Sequence, residues 1–119
     1  MGKLKVLLAD DDELVIESMR AALEMRGYDV TQAHNGKEAL QIYKNDSAWG
    51  LIILDLVMPF VDGQQVLKQI KKQNPKAKIL LISAAGKSRD YTFLNEYSDV
   101  MFLSKPFSTP KLFSIIERI

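Results

Sequence analysis

"LIILDLVMPFVDG", residues 51–63, decides how the rest of the chain is read. Four apolar residues, Leu51 to Leu54, run straight into a carboxylate, Asp55, with Met58-Pro59 and Asp62-Gly63 close behind. An apolar run without polar alternation is the pattern of a strand covered on both faces. Such a strand has no use for an acid at its tip unless a negative charge is needed there.

Three further runs resemble this one: Val6 to Ala9, Ile79 to Ile82 and Val100 to Leu103. A weaker strand, Asp29 to Ala33, alternates Val30 with Gln32 as an edge strand does. Between the strands lie amphipathic stretches. Val15, Met19, Ala22 and Leu23 share a helical face, and Gly27 stands at the C-terminal cap. Asn35-Gly36-Lys37-Glu38 has capping-box spacing and opens a helix that turns Ala39, Leu40 and Tyr43 inward. Asp62 to Gln73 carries Val66, Leu67 and Ile70, with Asp62-Gly63 as turn and helix start. A fourth helix is expected over Arg89 to Tyr97, carrying Phe93, Leu94 and Tyr97. In the last, Leu112, Ile115, Ile116 and Ile119 follow helical spacing behind a Ser108 or Thr109 cap and Pro110. Phe113 lies off that stripe, so it reads either as an exposed partner contact or as an aromatic that packs under a further segment of chain.

Strand then helix, five times over, argues for an α/β fold: a doubly wound parallel sheet with right-handed crossovers and helices on both faces. The length of 119 residues fits one domain, and 47% hydrophobic with 26% charged residues is a globular balance. A net charge of +1 gives no nucleic-acid or anionic-membrane footprint. The absence of cysteine excludes disulfides and thiolate metal sites. No run is long enough to span a membrane, Lys3 and Lys5 break any signal-peptide pattern, and Val6 spoils a myristoylation start. A cytoplasmic domain is expected over residues 1–119. It is either free-standing or part of a longer protein, since the last helix is still in phase at Ile119.

In such sheets, ligands bind beyond the carboxyl ends of the strands. Strand one ends in Asp10-Asp11-Asp12-Glu13, strand three in Asp55, strand four in Ser83 and strand five in Ser104-Lys105-Pro106. All fall on one sheet edge. Asp10, Asp11 and Asp55 at close range repel, which raises their pKa values. A Mg²⁺ ion (+2) with Lys105 (+1) neutralises three aspartates (−3), and Mg²⁺ accepts carboxylate and carbonyl oxygens. A neutralised site accepts a phosphoryl group, whose oxygens the metal, Lys105 and the Ser83 hydroxyl would stabilise. Asp55, on the central strand, is the natural nucleophile. Asp12 or Asp11 could cap the first helix, and Asp12 reads equally well as a cap or a ligand. His34, before a helix with no partner in view, receives no function.

With these residues in place, the chain resembles the response-regulator receiver domains of two-component signalling. The likeness rests on "VLLADDDE", the D-x-x-M-P-x-x-D-G run from Asp55 to Gly63, "LLISA", "FLSKPF" and "AHNGKEAL", in that order. It implies a flavodoxin-like sheet of order 2-1-3-4-5, for which receiver domains are a standard example. It also implies that Asp55 accepts phosphate from a histidine kinase or histidine phosphotransfer protein. Asp10, Asp11, Asp55 and the Val57 backbone carbonyl would hold Mg²⁺ or Mn²⁺. Ser83 and Lys105 would bind the phosphoryl group, with a cis peptide at Lys105-Pro106, an option specific to proline. Ser83 would move toward it, Phe102 would fill the vacated space, and the face of helix four, strand five and helix five would engage a downstream protein.

The chain also departs from the family pattern. Phe102 stands where a tyrosine is common and has no hydroxyl, so its inward state rests on packing. "YSDVMFLSKPF" lacks the Gly-Ala start and acid of the large DNA-binding subclass that dimerises through charged pairs. Val57 and Ala85 cannot hold an attacking water, so slow loss of phosphate is expected. Two other functions compete. D-x-D at Asp10 to Asp12 resembles haloacid-dehalogenase-type phosphatases, but only Glu117 follows Lys105 where that family needs further acids. A receiver fold used as an unphosphorylated binding module would carry the same residues. A flavodoxin-like cofactor binder is rejected, because four consecutive acids would repel a phosphate.

Overall fold

A computed structural model describes residues 4–46, 48–84 and 91–118. Five strands, β1 (Lys5–Ala9), β2 (Asp29–Ala33), β3 (Leu51–Asp55), β4 (Ile79–Ala84) and β5 (Met101–Lys105), form one sheet. All are parallel in the order β2-β1-β3-β4-β5, the expected arrangement. The helices are α1 (Glu13–Met25), α2 (Gly36–Asn45), α3 (Gly63–Gln73) and α4 (Thr109–Ile116).

Strand alternation sorts the core into two layers. Leu7, Ile52, Leu54, Ile79 and Leu81 face α2 and α3, packing with Ala39, Tyr43, Val66, Leu67 and Ile70. Val6, Leu8, Leu51, Ile53, Leu80 and Ile82 face α1 and α4, packing with Ile16, Met19, Leu23, Leu112 and Ile116. Burying each large aliphatic side chain contributes roughly 2 kcal/mol, so the doubly covered central strands anchor the sheet. The caps at Asn35 and Asp62 are as expected, and of the alternatives left open Asp12 and Ser108 are the residues used. Asp12, Asn35, Asp62 and Ser108 accept backbone N–H bonds at the starts of α1, α2, α3 and α4.

Two expectations are corrected. The described part of the fourth helix is only a 3₁₀ segment, Thr92–Glu96, running through bonds from Leu94 to Tyr91, Tyr97 to Leu94 and Val100 to Tyr97. Tyr91 offers no side-chain cap and only Phe93 is buried, so little favours a full α-helix there. Phe113 is buried, not exposed. The Arg26 guanidinium lies 3.8 Å over its ring, and Tyr28 stacks at 6.4 Å. The inward face of α4 is therefore wider than the stripe of Leu112, Ile115 and Ile116. Arg89, Ala85 and Ile119 lie outside the described residues.

Away from the acids, Lys71 on α3 is buried, and its ammonium donates to the Pro75 and Ala77 carbonyls and to Asp99 Oδ2, at 3.0, 2.8 and 2.6 Å. That pin ties the α3–β4 loop to the segment before β5. Leu67, Ile70 and Lys71 share the buried face of α3.

Candidate functional site

The carboxyl ends of β1, β3 and β5 deliver Asp10, Asp55 and Lys105 to one point. Asp10 is 0% and Asp55 4% exposed. The Lys105 ammonium donates to Asp10 Oδ2 at 2.8 Å and Asp55 Oδ2 at 2.9 Å. The remaining oxygens accept backbone N–H groups, Asp10 Oδ1 from Asp12 at 2.9 Å and Asp55 Oδ1 from Val57 at 3.1 Å. Asp11 is exposed and completes a set of three carboxylates whose nearest oxygens lie within 4.8 Å of one another. Asp12 proves to be the α1 cap, its Oδ1 accepting the Leu14 N–H at 3.0 Å.

Burial dominates the electrostatics. It pushes the Asp55 carboxyl up to about 6, with the Asp10 charge adding to the rise, against the opposing Lys105 and Val57 hydrogen bonds. Burial also pulls the Lys105 ammonium down, but its bonds to Asp10 and Asp55 outweigh this and its pKa lies above the ordinary lysine value. One lysine therefore holds two buried acids together without fully compensating the second. Three oxygen donors in this spacing fit a hard divalent cation such as Mg²⁺ or Mn²⁺.

The loop from Leu56 to Asp62 is held by close contacts. A Cβ added to Gly63 would stand 2.3 Å from the Asp55 carbonyl oxygen, and one on Gly36 would stand 1.7 Å from the Val61 carbonyl oxygen. Neither position accepts a side chain, so α2 and α3 both press on this loop. Gly63→Ala is expected to cost about 1–3 kcal/mol through overpacking, read as a lower urea midpoint at unchanged m-value. Between these contacts Phe60 sits at φ +70. A bulky residue there stores on the order of 1–3 kcal/mol.

Of the expected site residues, Asp10, Asp11, Asp55 and Lys105 converge. Val57 follows directly on the same loop, bound through its N–H to Asp55. Ser83 is buried one register step beyond the Asp55↔Ile82 pair, and its hydroxyl donates to the Ala84 carbonyl at 3.1 Å. Phe102 is half-buried and meets Tyr91 edge-on at 5.1 Å. The Lys105-Pro106 peptide is cis, as the resemblance implies. His34 has partners after all: Nε2 lies 3.3 Å from Glu13 and Nδ1 3.3 Å from Glu38, bridging the starts of α1 and α2. Glu13 comes from the start of another helix, so sequence spacing alone does not reveal that contact. Beside Lys105, an apolar groove of about 350 Å³ runs between Leu14, Val15 and Met19 on α1 and Pro106-Phe107.

Comparison with known proteins agrees with this geometry. A transcriptional regulatory protein of Haemophilus influenzae, a CpxR homolog, is 36% identical over 115 residues, covering 97% of this chain and 49% of its own. The chain thus spans about half the length of that relative. A receiver-domain crystal structure from Methanospirillum hungatei superposes with TM-score 0.90 at 23% identity, covering 98% of this chain and 93% of its own, a likeness of fold. The response regulator TrrA of Thermotoga maritima, solved in complex with Mg²⁺ and BeF, superposes with TM-score 0.85 at 29% identity and 97% coverage of both chains. The response regulator receiver domain family matches residues 6–117, and the chain belongs to it, placing it in two-component phosphorelay signalling.

Proposed function

We propose that this chain accepts a phosphoryl group on Asp55 from a phosphohistidine of a histidine kinase or histidine phosphotransfer protein. The observation that carries this reading is the convergence of Asp10, Asp11 and Asp55 oxygens within 4.8 Å, with Lys105 bridging two of them. In the transfer an Asp55 oxygen attacks phosphorus, the phosphorus–nitrogen bond breaks, and the imidazole takes the electron pair. The product is an acyl phosphate. Asp10, Asp11, Asp55 and the Val57 carbonyl would hold Mg²⁺ or Mn²⁺, which when bound supplies positive charge to the phosphoryl oxygens. Lys105 leaves Asp55 for a phosphoryl oxygen, keeping its bond to Asp10. The Ser83 hydroxyl turns from the Ala84 carbonyl to donate to another.

Phosphorylation is then read out by packing. Movement of Ser83 lets Phe102 shift from its edge contact with Tyr91, remodelling the 3₁₀ segment, β5 and α4 face that a downstream protein or output domain would engage. The site is of the kind found in cytoplasmic signalling proteins, and its only chemistry is its own phosphorylation and dephosphorylation. A dehalogenase-type phosphatase is disfavoured, because only Glu117 follows Lys105 where that family needs further acids. Val57 is exposed and apolar, with no group to orient a hydrolytic water. The phosphorylated chain is expected to persist for minutes or longer, and a half-life of seconds in a chase experiment would contradict this.

The test is intact mass after incubation with Mg²⁺ and acetyl phosphate. One phosphoryl increment is expected in the native chain, none without Mg²⁺ and none in Asp55→Asn. An unmodified native chain under conditions that label a control receiver would favour the unphosphorylated binding module.

A further inference from the structure

Phe60 breaks two rules at once. Its φ of +70 is an outlier for a bulky L-residue, and its side chain is 82% exposed. The Val61 N–H donates to the Pro59 carbonyl at 2.9 Å, closing a three-residue turn centred on Phe60. With positive φ this is the rare, strained hand of the γ-turn. The surroundings fix it: Met58 is buried on one side, and the Val61 carbonyl is lodged against Gly36 on the other. Gly or Asn would take this conformation with far less strain. No ring or cation stacks on the phenyl group among the described residues. Five residues from Asp55, strain and exposure therefore bring no return among the described residues.

We infer that Phe60 is a specificity-determining residue, an apolar anchor for the protein that delivers the phosphoryl group, with no part in bond making. This rests on the reading of Asp55 as acceptor. Asp55 is 4% exposed at the base of this loop, so a protein donor must close its surface over the loop to bring a histidine to the carboxylate, whereas a small donor need not. The surroundings suit an apolar face around that histidine. Val57 is exposed on the same loop, and Leu14, 77% exposed, lines the groove beside Lys105 with Phe107. An exposed phenylalanine bordering a desolvated polar centre belongs to the aromatic class that is enriched in protein interfaces.

The test compares two donors on Phe60→Asn, Phe60→Gly and Phe60→Trp. With acetyl phosphate and Mg²⁺, all three are expected to label Asp55 within about twofold of the native rate. The second donor is an autophosphorylated histidine-kinase core, chosen from a panel as the fastest toward the native chain. With it, kcat/KM is expected to fall about tenfold or more for the Asn and Gly variants, mainly through KM, while Trp stays near native. Thermal midpoints of the Asn and Gly variants should be no lower than native. Equal transfer from the kinase core to native and Asn chains overturns the inference but leaves Asp55 as acceptor. Equal losses with both donors overturn it in favour of a role in the loop's chemistry. A native dimer that Phe60→Asn dissolves overturns it in favour of a second copy of this chain. Failure of acetyl phosphate to label the native chain removes the reading beneath it.

Discussion

Asp55→Asn is expected to make the metal-free chain more stable at pH 7.5, by roughly 1–3 kcal/mol, or on the order of 5–10 °C in thermal midpoint. The carboxyl is held up to about 6, first by burial, with the Asp10 charge adding to it. The sign follows from proton binding. Between the unfolded carboxylate range near pH 4 and the folded value, the native chain binds more protons than the unfolded one. Native stability therefore falls as pH rises through that window, and the deficit is complete above pH 6. Asparagine keeps one acceptor oxygen, for the Val57 N–H, leaves Lys105 to Asp10, and carries no charge to desolvate. The gain should shrink toward zero at pH 4, which a denaturation series across pH would show. Mg²⁺ should close the gap from the other side, stabilising the native chain by mass action and the variant much less. An Asn variant less stable than native at every pH would mean that Asp55 is compensated in the resting site.

Lys105→Met should have the larger effect, in the opposite direction. Lys105 bridges Asp10 Oδ2 and Asp55 Oδ2, both on residues at most 4% exposed. Removing the cation leaves two buried carboxylates facing each other, a loss of about 3–5 kcal/mol for a broken buried ion pair. The loss should be greatest at neutral pH without metal. It should recover in part at pH 5, where a carboxyl takes up a proton, and in part with Mg²⁺. A methionine variant as stable as native at pH 7.5 would contradict the bridging role of the lysine.

How much of this was legible in the sequence depended on whether a local pattern carried it. The buried strands announced themselves as unbroken apolar runs, because a sheet covered on both faces leaves no place for alternation. The strand-end rule then gathers Asp10, Asp55 and Lys105, since parallel strands leave their carboxyl ends on one edge. Helix starts were legible through Asp62 and Asn35, whose side chains have a fixed local task. Features made by contacts between distant segments were not. Phe113 looked exposed because the Arg26 and Tyr28 that cover it come from the other end of the chain's first helix. His34 looked alone because Glu13 approaches it from the start of α1. Lys71 reads like any helix lysine until the Pro75 and Ala77 carbonyls fold back onto it. The positive φ of Phe60 contradicts the residue's own preference, and only the pressure of Gly36 and Gly63 on that loop explains how it is held.

The most direct test of the central claim is where the phosphoryl group sits. After labelling with Mg²⁺ and acetyl phosphate, borohydride would reduce the acyl phosphate to an alcohol, and peptide sequencing by mass spectrometry would locate it. Reduction at Asp55 alone is expected. Reduction at Asp10 or Asp11, or a stable phosphate ester on Ser83, would contradict the assignment of Asp55 as acceptor.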